Sequence, residues 1–450
     1  MKENQKTYWK GIEQLKNDPE FIKKNEGEFP EYLPINENGG GDSNRRDFLK
    51  MMGFGIAAAS LAACETPIKK AIPYLNKPVD VDPSVPNYYA STYVNGGDAV
   101  SVVVKTREGR PIKIEGNKSS TISKGGTNAQ VEASVLSLYD KERLTGPLKG
   151  GAEIDWETLD REVAAKLAQA GQIRIVSNTV LSPTTKRAVA DFVAKYPGAQ
   201  HVSYDPVSAY GMLEGNKRSF GESMIPSYDF SKAKTIVSIG ADFLGTWISP
   251  IEFAKQYAQT RKINAAHREM SRHYQFESNL SLTGANADYR TPIKPSQVGP
   301  LVANMYNVVA AKAGQAKVNA PAVGDVAQMT KAANELWANR GKSLMVAGSN
   351  DPAVQVLVNG INAMLGNYGT TLSTERPLHF RQGNDQELAK FAQELNAGTV
   401  KGVIFFNCNP LYDSSEAAKI QNGLSKASVT VSTADRMDET ASAVEYVAPD

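Results

Sequence analysis

Arg45 and Arg46 open a run whose residue types and order specify a covalent modification. Phe48, Leu49 and Lys50 follow the arginine pair, and small, weakly apolar residues then lead to Leu61-Ala62-Ala63-Cys64. A basic start, a short apolar run and a small-residue cleavage box is the order of an export signal. The apolar run is too short to cross a bilayer, which takes ~20 residues. We read the pattern as a twin-arginine signal entering a lipoprotein box, with the Cys64 thiol as the acylated atom. This predicts a lipid-anchored chain on the periplasmic face of the inner membrane, exported already folded. The signal sits unusually deep, behind a polar leader of residues 1–43.

The remaining reactive residues are sparse. The chain has two cysteines, so Cys408 stands alone once Cys64 is assigned to the signal. One thiol makes no internal disulfide, and an iron–sulfur cluster takes about four. Cys408 follows an apolar run and reads as a small buried apolar residue. The four histidines are His201, His267, His273 and His379. His267 and His273 are spaced by six in an Arg-rich stretch, not by the i, i+4 of a helical ligand pair, and are expected on a polar surface loop. His201 falls in a strand, as a core or edge residue. No H-E-x-x-H motif or nucleophile triad is visible. Trp247 reads as core packing.

These residues must be positioned by a chain of 450 residues with 41% hydrophobic content, enough for a sizeable core. A net charge of +2 and the lack of a basic block give no footprint for nucleic acid. Residues 65–98 are expected as an extended tether, and 99–105 and 111–115 as a hairpin turning at Glu108-Gly109. Beyond Asp155 apolar strands alternate with amphipathic helices. Strands are expected at 173–177, 201–204, 235–239, 343–347, 403–406 and 429–432. Helices are expected at 183–195, 250–259, 296–313, 324–339, 352–365, 385–396 and 414–424. The alternation predicts an α/β fold of mostly parallel sheets with flanking helices. Gly240 and Gly348 each follow a strand. Such a turn either cradles a nucleotide or merely links strand to helix.

Several stretches, in order, resemble the molybdopterin oxidoreductase superfamily. They include Gly109-Arg110-Pro111, Ala133 to Asp140, Asp155-Trp156-Glu157, Ser219-Phe220-Gly221, Leu282-Thr283-Gly284-Ala285-Asn286 and Asn407-Cys408-Asn409-Pro410. The leader, with Tyr8-Trp9-Lys10 and Glu28-Phe29-Pro30, is similar to that of one subfamily, the large iron–sulfur subunits of alternative complex III. The resemblance implies a molybdopterin-oxidoreductase-like domain over 99–450 with a small β-rich N-terminal subdomain. The family run continues beyond the motif at Tyr446 to Asp450, so the fold is expected to be incomplete at the C-terminus.

The departures from the family matter as much. The cysteines of its N-terminal cluster are missing before Gly109. The family's metal ligand lies about a dozen residues before the Phe-Gly pair, which lands on Ser208, a residue type that also caps helices. Ser208 is thus the vestigial metal position, with no catalytic, cofactor-binding or metal residue expected otherwise.

The resemblance then implies a non-catalytic scaffold half of a quinol:cytochrome c oxidoreductase subunit. Molybdopterin would be absent, and iron–sulfur clusters would sit in a C-terminal half outside this sequence. The implied partners are a membrane quinol-binding subunit and multihaem and monohaem cytochrome c subunits. Two alternatives stay open: an active molybdopterin oxidoreductase using Ser208, and an extracytoplasmic α/β binding lipoprotein.

Overall fold

The computed structural model describes Pro19 and residues 85–450, apart from 96–97, 264–267 and 325. The chain divides into two compact units, Met1–Lys77 and Pro78–Asp450, and the elements below belong to the second. Arg45, Arg46, Phe48, Leu49, Cys64 and His267 lie outside the described residues.

Strands β1 (Asn87–Asn95), β2 (Asp98–Arg107) and β3 (Arg110–Gly116) form an antiparallel sheet. The expected hairpin is β2–β3. Glu108 and Gly109 take φ of 51° and 78°, the consecutive left-handed pair that matches the twist of the flanking strands. The end of the stretch expected as a tether is β1, paired with β2 from Asn87↔Thr106 to Asn95↔Asp98. Helix α1 (Ala129–Ala133) lays Val131 onto Val100, Val102 and Ile114.

The larger part holds two α/β layers. The outer layer is a seven-stranded sheet in the order β5-β4-β16-β15-β14-β6-β7. Its strands are β4 (Leu148–Lys149), β5 (Ala152–Glu153), β6 (Ile173–Ser177), β7 (Ala199–Ser203), β14 (Gly402–Phe406), β15 (Val429–Ser432) and β16 (Tyr446–Val447). β7, β6, β14, β15 and β16 run parallel. Helices α2 (Trp156–Ala170) and α3 (Pro183–Lys195) serve one core, and α10 (Asp385–Asn396) and α12 (Ala417–Leu424) the other.

Between β7 and β14 the chain inserts a second layer. It carries α4 (Tyr210–Phe220), a short β8 (Ile225–Tyr228) paired with β13 (Leu372–Leu378), and an all-parallel sheet in the order β11-β10-β9-β12. That sheet comprises β9 (Thr235–Ile239), β10 (Arg272–Glu277), β11 (Tyr289–Pro292) and β12 (Ser343–Ala347). Around it lie α5 (Pro250–Arg261), α6 (Leu282–Ala285), α7 (Val298–Ala313), α8 (Met329–Ala338) and α9 (Pro352–Met364). All five residues of β6, β9 and β12 are buried, as expected for strands covered on both faces. Helix starts follow local chemistry. Ser182, Asp351 and Asn384 accept backbone N–H groups in the first turns of α3, α9 and α10, and Pro183 and Pro352 stand at first helical positions. The helix expected at 324–339 narrows to Met329–Ala338, because Gln328 just before it is left-handed, at φ 68°.

The expectation for His273 is also overturned. His273 is not on a surface loop; it is fully buried on β10. Its Nδ1 lies 3.2 Å from the Tyr257 hydroxyl and its Nε2 3.3 Å from Gln275 Oε1. Gln275 donates to Glu277, which pairs with Arg290 at 2.6 Å. The strand reads as polar because its inward polar groups satisfy one another. Burial pushes the His273 imidazole down to about 4. Its ordinary value is about 6.5, so between these limits the unfolded chain takes the proton first. His273 is therefore expected to cost the fold about 3 kcal/mol as pH falls from ~6.5 to ~4. Urea titrations of the wild type and His273→Gln at pH 7 and pH 4 check this: the gap between them should shift in favour of the variant at the lower pH.

Candidate functional site

In open α/β sheets the ligand position is where neighbouring strands send their connections to opposite sides. In the seven-stranded sheet that point lies between β6 and β14. From β6 the chain runs through α3 to β7, and from β14 it runs the other way, through α11 (Pro410–Asp413) and α12, to β15. A cleft of about 1030 Å³ opens there, bounded by Ser177–Thr185 of the β6–α3 turn, Phe406–Asn409 after β14, and Thr92–Asn95 of β1.

Its walls are held by local hydrogen bonds. Asn407, at φ 46°, receives the Thr433 hydroxyl on its Oδ1 at 2.8 Å, and its backbone N–H donates back to that hydroxyl. Asn409 Oδ1 accepts from both the N–H and the hydroxyl of Thr440. Tyr204 donates to Asp413 at 2.7 Å, and Asp438 accepts the Ala441 N–H at 2.7 Å. Burial holds both carboxyl groups above the usual carboxylate range. Cys408 is buried as the sequence implied. Its Sγ donates to the Val176 carbonyl, and burial pushes the thiol well above its ordinary range, so it is a poor nucleophile and a poor ligand.

The inserted sheet has its own reversal point, between β9 and β12, where Gly240 and Gly348 lie. The two turns close on each other. The Gly348 N–H donates to the Ile239 carbonyl at 2.9 Å, and a methyl on Gly348 would sit 2.3 Å from the Gly240 carbonyl oxygen. These glycines pack backbone against backbone, which is the linking role and not a nucleotide cradle.

Ser208 lies just before α4, where the starts of three helices meet. Its hydroxyl donates to both oxygens of Asp385, at 2.8 and 2.9 Å, and accepts the Tyr210 N–H. Asn350 completes the knot: its Nδ2 donates to Asp385 and its Oδ1 accepts the Gly211 N–H at 2.6 Å. Gly211 permits this contact, since a methyl there would lie 2.3 Å from Asn350 backbone atoms. Asp385 and Asn350 were not singled out in the sequence; their helix-opening positions were the only signal. His201 sits half-buried on β7 with Nε2 2.8 Å from the Ser177 hydroxyl, and burial lowers its pKa. Trp247 packs edge-on against Tyr228 in the core. Among the described residues no three His, Cys, Asp or Glu side chains gather to hold a metal ion.

No family model matches the chain. Acetylene hydratase from Pelobacter acetylenicus superposes with a TM-score of 0.52 at 12% identity, over 80% of this chain and 60% of that one. The chain has the molybdopterin-oxidoreductase fold. A curated relative, the menaquinone reductase molybdopterin-binding-like subunit of Nitratidesulfovibrio vulgaris, is 23% identical over 395 residues. That alignment covers 78% of this chain and 56% of the relative, so the chain spans about three-fifths or less of the length of each of these two proteins. Both comparisons are consistent with the resemblance to the molybdopterin oxidoreductase superfamily read in the sequence.

A molybdopterin carries phosphate, and a site for it needs cations or convergent N–H donors. The switch-point cleft of this molybdopterin-oxidoreductase fold presents Asp413, Asp435, Asp438 and Asp450, and among its described lining residues no Lys, Arg or His. Ser208 would have to give up its proton to ligate a metal, and the Asp385 carboxylate that receives that hydrogen opposes its loss. The residues present do not fit the cofactor.

Proposed function

We propose that this chain is a non-catalytic, molybdopterin-free scaffold half of a periplasm-facing iron–sulfur subunit in a respiratory quinol:cytochrome c oxidoreductase of the alternative complex III type. The observation that carries the reading is the Ser208–Asp385 pair: the residue to which the resemblance assigns the vestigial metal position is engaged in an internal hydrogen bond. The acidic cleft and the buried Cys408 support it, because neither offers a phosphate site or a cluster ligand. The name of the relative, a molybdopterin-binding-like subunit of a menaquinone reductase, supports a place in quinone-linked respiration. Electrons would pass through clusters and haems held elsewhere in the complex, and quinol would be oxidised in a membrane subunit. The twin-arginine signal and Cys64 would bring the folded chain to the membrane and anchor it.

Three measurements test the proposal. Metal analysis of the purified chain is expected to find molybdenum and iron far below one per chain. Stoichiometric molybdenum would restore the active-enzyme reading. Solubilised membranes are expected to yield the chain together with haem-bearing cytochromes, and a chain recovered free of them would favour the binding-lipoprotein reading. Fatty-acid labelling should disappear in Cys64→Ser.

A further inference from the structure

Asp413 and Asp438 are two half-buried carboxylates in one cleft; burial raises the pKa of each, and the Asp438 charge raises that of Asp413 further. Neither is in an ion pair among the described residues, whereas Asp435 beside them is held by Arg143 and Arg436. Half-buried like charges without a counter-ion destabilise a fold unless something positive meets them. The cleft is also far larger than an ion, at about 1030 Å³, and part of its wall is apolar, from Val94, Leu181 and Phe406. Its guest should therefore combine positive charge with apolar groups.

We propose that the switch-point cleft is a docking socket for a basic segment of a partner subunit, whose Arg or Lys side chain meets Asp413 and Asp438. The inference rests on the scaffold reading, since it supplies the partner. It reverses the charge preference of the fold's ligand position: a dinucleotide is repelled where a guanidinium is attracted. Strand β1 gives the socket its outer wall, with Thr92–Asn95 facing the β6 and β14 turns.

The test uses the full chain and a fluorescent peptide of alternating Arg and Leu, with a Glu–Leu peptide, spermine and GDP as comparisons. The Arg–Leu peptide should bind at least about tenfold more tightly than the Glu–Leu peptide. The double variant Asp413→Asn/Asp438→Asn keeps the hydrogen-bond acceptors and should weaken Arg–Leu binding by about tenfold. Thr185→Lys, a half-buried position on the cleft wall, should have the same effect by supplying an internal cation, which guards against misfolding of the double variant. Asp191→Asn, on the exposed face of α3, should change nothing. Unchanged binding in both cleft variants overturns the proposal. So does GDP that competes with the peptide, or spermine that displaces it at equal concentration and so assigns the cleft to a small polycation. If the wild-type chain recovers cytochromes and Asp413→Asn/Asp438→Asn does so equally well, the socket falls and the scaffold reading stands. If the wild type recovers none but the cleft variants still lose the peptide, the scaffold reading falls alone.

Discussion

Asp205→Ala is expected to lower unfolding free energy by about 3–5 kcal/mol, the range for breaking a buried polar network. Asp205 is buried at the carboxyl end of β7. One oxygen accepts the Thr179 N–H at 3.1 Å, and the other accepts the Thr179 hydroxyl at 2.6 Å and the Gly383 N–H at 2.8 Å. Truncation leaves all three buried donors without this acceptor. The chain at Gly383 also passes so near that a methyl there would meet the Asp205 nitrogen at 2.5 Å, leaving little room to relax. The carboxylate thus ties the β6 turn, the end of β7 and the approach to α10 together, and α10 carries the Asp385 that engages Ser208. Thr179→Val, which removes one donor and leaves the carboxylate two others, should cost about 1–2 kcal/mol. Urea denaturation of both variants at pH 7 gives the comparison.

Gly348→Ala is expected to cost about 3 kcal/mol or more, the upper range for overpacking a filled interior. The added methyl would lie 2.3 Å from the Gly240 carbonyl oxygen and 2.7 Å from its carbon, both of them backbone atoms. Relief requires β9 and β12 to part, and although β12 is the edge strand of the sheet, every residue of both strands is buried. Gly240→Ala provides the contrast. Gly240 has φ 66° with nothing near its would-be methyl, so the cost there is conformational alone, about 1–2 kcal/mol. Thermal unfolding should therefore separate two glycines that look alike in the sequence. Equal losses would mean that the two turns do not touch.

The parallel strands were legible because burial on both faces leaves a mostly apolar run, as in Ser343–Ala347, where Leu344 to Ala347 follow one another without a polar residue. β10 was not, since its His273, Gln275 and Glu277 are made tolerable by one another and by Tyr257 and Arg290, partners that no local pattern displays. β1 was missed as a paired strand because its residues stay largely exposed, so pairing with β2 left no alternating stripe. At the candidate site, family order led to Ser208, but its meaning depends on Asp385, which lies 177 positions away. The cleft was invisible for the same reason: its walls come from β1, the β6 turn and the segment after β14.

The nesting of one sheet inside the other also sets an order of assembly. Every strand of the inserted four-stranded sheet lies between Thr235 and Ala347. The outer sheet instead waits: β6 needs β14 as its neighbour, and β4 needs β16, so nothing before Val447 completes it. Closing such long loops is slow, and unpaired strand edges stay open meanwhile. During synthesis the inner layer is complete while β6 and β7 still lack their sheet. The early chain is then a folded knob on an unfinished two-stranded stub, the stage at which chaperones have most to protect.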